Sequence, residues 1–430
     1  MPQPFQLKNL YDQGKYEEVI SFWFNPLEME TFSQWDFRDV MNSFYKLRRY
    51  ADCLEVYRAC YKRYPDFTYL EDKMGWSIYH TKVKTFSFDD GDVSTLKKQI
   101  DFVFAHSTNS QYSPRWVLAK YLVDAINDGK LGYERDYRMI CHYLDLVDPS
   151  TLDTTESSFT DATGRVRALA SSQESWYTEK SKALFKLADF GACIECCDEA
   201  LKVIRQFHSN NDSWFTYRKA KCLQAIGKAD EAKDYILKIL DRGFAHWCLY
   251  QLLFEHERDA GNTEKCMSYL GFCALSDHEH KMRVSFYVEA SDFLESIGES
   301  TTAMLHRRLV NLLREENDWK EKSIQTTWQL SDEIQNADKQ QILSRLIPFW
   351  TQAKDNGREF YIGKIDRLLA EGKSGFIHTD RGYNYYFNVR DIRGAKRTPV
   401  IGAQVRFALV NRLDRSKGVV KPNAVDIEIL

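Results

Sequence analysis

Cys193-x-x-Cys196-Cys197 has the spacing of half a zinc site, in which thiolates close in sequence share one metal. A second ligand pair at matching spacing is missing. The three cysteines also fall in a helical pattern, where a free thiol packs as a small apolar residue. Asp277-His-Glu-His280 lacks the i,i+4 histidine pair that puts two ligands on one helix face, so it reads as a solvated helix start. Pro65-Asp66 with Glu71-Asp72-Lys73 has groups that could hold a divalent cation for phosphodiester cleavage, but it enters a helix with no strands to fix the carboxylates. Asp89-Asp-Gly-Asp92 is too short for a calcium loop, and no Gly-rich phosphate loop is present. The expectation is therefore a protein that is not an enzyme, with no catalytic residue, metal site or cofactor. Trp76, Trp176, Trp214 and Trp247 fall at helix positions where core packing is the default role.

The elements that would carry any site differ sharply between the body of the chain and its end. With 430 residues, the chain is too long for one core, and its 43% hydrophobic content is that of a folded protein. From Phe360 to Leu430 there are 13 Lys+Arg and 7 Asp+Glu, a net +6, while the preceding 359 residues carry −9. A polyanion would meet the basic end. All ten cysteines lie between Cys53 and Cys273, inside helical patterns, which suits a reducing cytoplasm better than a disulfide framework. The start, Met-Pro-Gln-Pro-Phe-Gln-Leu-Lys, has no signal-peptide pattern, and no apolar run reaches the ~18 residues that span a bilayer. A cytoplasmic protein without membrane contact is expected.

Tyr16 in Leu10-Tyr-Asp-Gln-Gly-Lys-Tyr16 and Tyr50 in Phe44-Tyr-Lys-Leu-Arg-Arg-Tyr50 stand 34 residues apart, each between two amphipathic stretches. The pattern returns around Phe190, then at Gly227, Gly261 and Gly298, with spacings of 34 and 37. A small or turn residue followed by an aromatic between two helices, at this period, resembles tetratricopeptide repeats. The resemblance covers roughly 5–65 and 176–310. It implies a mostly α fold, and it says little about function because such repeats serve many purposes. Helices are also expected over Val93–His106, Ser113–Asn127, Tyr133–Leu146, Trp319–Leu330 and Asp332–Ala353. The Ser/Thr/Asp-rich segment within 151–175 reads as a loop joining two repeat arrays, 1–150 and 176–357. Lys354-Asp-Asn-Gly357 ends the helices.

Residues 361–430 change character. Gly363-Lys-Ile-Asp-Arg-Leu, Gly375-Phe-Ile-His, Tyr385-Tyr-Phe-Asn and Gly402-Ala-Gln-Val-Arg-Phe alternate apolar with polar residues between Gly and Asn, as short antiparallel strands do. Their order, with Lys417-Gly and Ala424-Val, resembles a cold-shock domain, a small five-stranded barrel of the OB-fold class. The resemblance implies a face that binds single-stranded nucleic acid. Phe376 and Tyr386 match two of the family's base-stacking positions, and Asn388 stands where the family has histidine. Asp366-Arg367-Leu368 replaces the family's first-strand Lys-Trp-Phe, and Ser374 replaces a further aromatic. Arg367 could stack through its guanidinium plane in partial compensation. Lys373, Arg390, Arg393, Lys396 and Arg397 would supply phosphate contacts.

Taken together, these features suggest a cytoplasmic adaptor. The repeats would hold a protein partner in their groove, and the barrel would grip single-stranded RNA or single-stranded DNA. Two alternatives compete with it: an interaction scaffold whose barrel has lost nucleic acid, and a component of a bacterial conflict or defence system. The first alternative turns on whether Arg367, Phe376 and Tyr386 share one exposed face.

Overall fold

The computed structural model describes residues 6–131, 135–319, 329–369, 372–393, 398–414 and 419–430. The chain is a mostly helical, tetratricopeptide-like region followed by a closed five-stranded β-barrel. It divides into two compact units, Met1–Arg218 and Lys219–Leu430, with the boundary inside the helix Asn211–Ala225 and the barrel in the second unit.

The 34-residue signal has a local cause. Gly14, Arg48, Ala188, Gly227, Gly261 and Gly298 all take a left-handed φ between +58° and +85°. Each lies two residues before the second helix of a pair, which begins at Tyr16, Tyr50, Phe190, Ala229, Thr263 and Ser300. One left-handed residue ends the first helix and reverses the chain so that the second packs back on it. Glycine does this without strain, and that is why it recurs in phase.

Val93–His106 is a helix with the expected bounds, and the helix expected from Ser113 runs from Arg115 to Asn127 behind Pro114. The helix expected from Tyr133 runs over Tyr137–Asp145. Most of the one expected at Trp319–Leu330 lies outside the described residues. Asp332–Ala353 is two helices, Asp332–Gln335 and Lys339–Asp355, because Asp338 caps the second through a reciprocal box with Gln341. The Ser/Thr/Asp-rich segment is not all loop. It holds a hairpin of β1 (Ser157–Thr160) and β2 (Val166–Leu169), exposed along both strands. Asp161 shapes the turn by accepting hydrogen bonds from the Thr163 backbone and hydroxyl and from the Arg165 backbone. Among the described residues, no helix is long and apolar enough to cross a membrane.

In the second unit the core runs through the helices Trp247–Asp259, Thr263–Ala274, Val284–Ser296, Ser300–Glu316 and Lys339–Asp355. Gly271 lets the last of these come close, since a Cβ there would collide with the backbone of Trp350 and Lys354. Gly271→Ala should force that helix outward and destabilise the unit by roughly 1–3 kcal/mol, the usual penalty for overpacking. A chemical melt of the second unit would read it, and an unchanged midpoint would refute the close approach.

The barrel comprises β3 (Phe360–Leu369), β4 (Ser374–His378), β5 (Asn384–Asn388), β6 (Gln404–Asp414) and β7 (Val419–Ile429). They close in the order β3-β4-β5-β7-β6, with β5 and β7 parallel and the other pairs antiparallel. Ile365, Ile377, Phe387, Val405, Phe407, Ala424 and Ile427 fill the interior. Phe407 points inward, as its place in the alternation requires.

Candidate nucleic-acid interface

Two opposite demands shape the barrel surface: one side joins the helices, and another is left open. The join begins at Lys354-Asp-Asn-Gly357, which the sequence marks only as the end of a helix. Lys354 and Arg358 each reach the Asp426 carboxylate of β7 at 2.7 Å. Arg393, on the segment after β5, contacts Asp355 at 2.7 Å and Glu428 at 2.8 Å, and Arg406 of β6 pairs with the same Glu428. Asp426 has φ +50°, an uncommon conformation that Asp tolerates better than most residues, at the register shift where β7 carries one residue more than β6. Burial alone would raise its pKa, but Lys354 and Arg358 outweigh burial and hold it near 2. The helix therefore ends in a largely buried ion-pair network. Arg393, expected on a nucleic-acid surface, belongs to that network, with Asp355, Asp426 and Glu428 around its guanidinium.

The face made by β3, β4 and β5 lies away from these ion pairs. Phe376 is directly opposite Tyr386 in the β4–β5 register, and Arg367 is opposite Phe376 across β3–β4. The two rings meet edge-to-face at 5.8 Å, and the Arg367 guanidinium lies 4.7 Å from the Phe376 ring centre. Arg367 is exposed, and both rings are half-buried. A register shift between Ile365 and Arg367 produces this row. Strict alternation from the buried Ile365 would turn Arg367 inward, and the extra residue, Asp366, resets the parity so that Arg367 points out. Gly375 completes the geometry, because a Cβ there would collide with the Arg367 carbonyl and the Phe387 ring. One step along the same face, Lys364, His378 and Asn384 form a second cross-strand row, with the His378 Nδ1 and Asn384 Oδ1 atoms 2.9 Å apart. The family comparison gave no reason to single out that row.

The other expected residues divide. Asn388 acts as a cap: its side chain accepts a hydrogen bond from the Arg390 backbone at 3.0 Å, and its own N–H donates to Asp391. Lys373 is exposed at the start of β4, and Arg390 is exposed just after β5. Lys396 and Arg397 lie outside the described residues. Elsewhere, Cys193 and Cys197 are buried in helix packing, and the Cys193 thiol donates to the Ser181 carbonyl at 3.3 Å. His280 differs from its expected place on a solvated helix start. It is half-buried, with its Nδ1 2.6 Å from the Tyr287 hydroxyl and 3.2 Å from the buried Arg283. Asp72 accepts two hydrogen bonds from Thr108.

No protein-family model matches the chain, and no curated protein matches it. Among solved structures it is similar to MamA (41-end) from Desulfovibrio magneticus RS-1. The identity is 16% and the TM-score 0.34, over 47% of this chain and 97% of that one. It is also similar to the C-terminal part of a TPR repeat-containing protein from Cytophaga hutchinsonii. There the identity is 12% and the TM-score 0.30, over 63% of this chain and 94% of that one.

Proposed function

We propose that the protein is an adaptor whose helical repeats hold a protein partner and whose barrel binds single-stranded nucleic acid, RNA or DNA. The observation that carries the second half is the Arg367–Phe376–Tyr386 row on the undocked β3–β5 face. Single strands are held by π-faces for bases and cations for phosphates, and the row offers both within one stretch of sheet. The strand order, with a parallel β5–β7 closure, is compatible with an OB-fold, whose second and third strands present the binding face. The repeats support the first half because helix-pair arrays build extended binding surfaces. The test is anisotropy titration of labelled single-stranded RNA and DNA at several salt concentrations. Phe376→Ala and Tyr386→Ala should each weaken binding by about 1–3 kcal/mol, as each removes a stacking surface. The losses need not add, because the two rings touch.

A second reading, a barrel that contacts protein alone, is favoured by one specific feature: Arg393 is committed to docking and Arg367 lies against Phe376, which thins the cationic surface. Absence of salt-sensitive affinity for any single strand, with folded and unchanged aromatic variants, would establish that reading instead.

A further inference from the structure

Between the barrel and the helices of the second unit lies a cleft of about 770 Å³. That volume is in the range of small-molecule sites, which run to roughly 300–1,000 Å³. Tyr250 forms part of its wall, stacked on Phe272 at 4.9 Å and 15°. Arg358, Arg412 and Asp426 are its charged neighbours, and burial pushes its phenol up to about 12. Its hydroxyl therefore stays protonated and can donate a hydrogen bond.

Charge in the cleft is graded. Lys354, Arg393 and Arg412 are neutralised in place by Asp426, Asp355 and Asp391. Arg390 is exposed and has no ion-pair partner among the described residues, while Asp277 is the acidic residue exposed on the lining. Arg390 is also four residues beyond Tyr386, in the turn that Asn388 caps. Four residues span at most about 14 Å, the length of about four stacked nucleotides.

We infer that the cleft receives the continuation of the single strand held on the β3–β5 face, with the backbone passing Arg390 and a nucleotide seated beside Tyr250. This rests on the nucleic-acid reading of that face and adds a second, physically separate part to the site. The Arg390 guanidinium would meet a phosphate, and the Tyr250 hydroxyl would donate to a base or phosphate oxygen. Binding would then depend on strand length: a strand of about four nucleotides fills the face, and one of about ten reaches the cleft.

The experiment titrates the full chain with single-stranded RNA and DNA of those two lengths. The longer strand should bind at least about tenfold more tightly. Tyr250→Phe should remove most of that gain while leaving the short-strand affinity unchanged. Arg390→Ala should lower long-strand affinity and reduce its log–log salt slope by about 0.7, the value for one lost phosphate contact on a single strand. No gain with length, or a gain untouched by both variants, overturns the cleft while the face stands. If no strand of either length binds, the reading of the face fails and the cleft proposal falls with it.

Discussion

Asp426→Ala is expected to undock the barrel from the helix Lys339–Asp355, with a loss of roughly 3–5 kcal/mol, the cost of removing one partner from a buried ion-pair group. Lys354 and Arg358 would both lose their 2.7 Å contacts, and both are mostly buried, so neither can fully recover its hydration. Arg358 is already short of partners, since its Nη2 is buried and unpaired. Alanine would also have to keep the φ of +50° that Asp tolerates better. Two companion variants separate these effects. Asp426→Asn keeps the conformation and removes the charge, and Asp426→Gly relieves the strain and removes the side chain. If charge dominates, all three lose most of the docking; if strain dominates, glycine is the mildest. Differential protease sensitivity at Lys354–Gly357 reads the outcome, and a wild-type digestion pattern for Asp426→Ala would refute the role of the network.

The same carboxylate sets an acid limit. Its pKa is about 2 in the fold against an ordinary 3.8. The folded-state pKa is depressed, so the stabilisation is present above pH 3.8 and is lost as pH falls toward 2. Its full size is about 2 kcal/mol, from the shift at 1.36 kcal/mol per pH unit.

Residues that do the docking were the least legible in the sequence. Periodicity revealed the repeats because a single left-handed residue recurs at Gly227, Gly261 and Gly298, and glycine in phase is a strong local signal. At Arg48 and Ala188 the same turn is made without glycine, and there only the following aromatic shows it. Alternation revealed the strands and the inward Phe407. Arg393 looked like part of a basic loop because its partners, Asp355 and Glu428, are 38 and 35 residues away. Nothing local distinguishes a solvated arginine from one aimed at a distant carboxylate. Tyr250 escaped notice for the same reason: it reads as one more aromatic of a repeat helix, and only the docked barrel turns it into the wall of a cleft. The bulge at Asp366 is a third case, since a one-residue register shift is invisible in a pattern read strand by strand.

Trp350→Ala should destabilise the second unit by about 3–5 kcal/mol through the lost side chain, with a further 1–3 kcal/mol for the partner it orphans. Trp350 is fully buried, lies 5.7 Å from Tyr287 at an interplanar angle of 8°, and donates its indole N–H to His306 Nε2 at 2.9 Å. That bond fixes the histidine tautomer. Nε2 must accept, so Nδ1 carries the proton and donates to the Thr302 carbonyl at 2.8 Å. A neutral imidazole is therefore built into the core, and burial pushes the His306 pKa down to about 4. The unfolded chain takes up a proton near pH 6.5 that the folded chain refuses. Stability is thus complete above 6.5 and declines as pH falls toward 4, by about 3 kcal/mol for this one group. His280 and His246, also held near 4 by burial, add to the decline in the same window. Chemical melts at pH 7.5 and 4.5 would measure it. His306→Gln can still accept from Trp350 and donate to Thr302 but cannot titrate, so it should shrink the loss between the two pH values, whereas Trp350→Ala lowers stability at both. An unchanged pH dependence in His306→Gln would mean that the buried imidazole is not what limits the fold in acid.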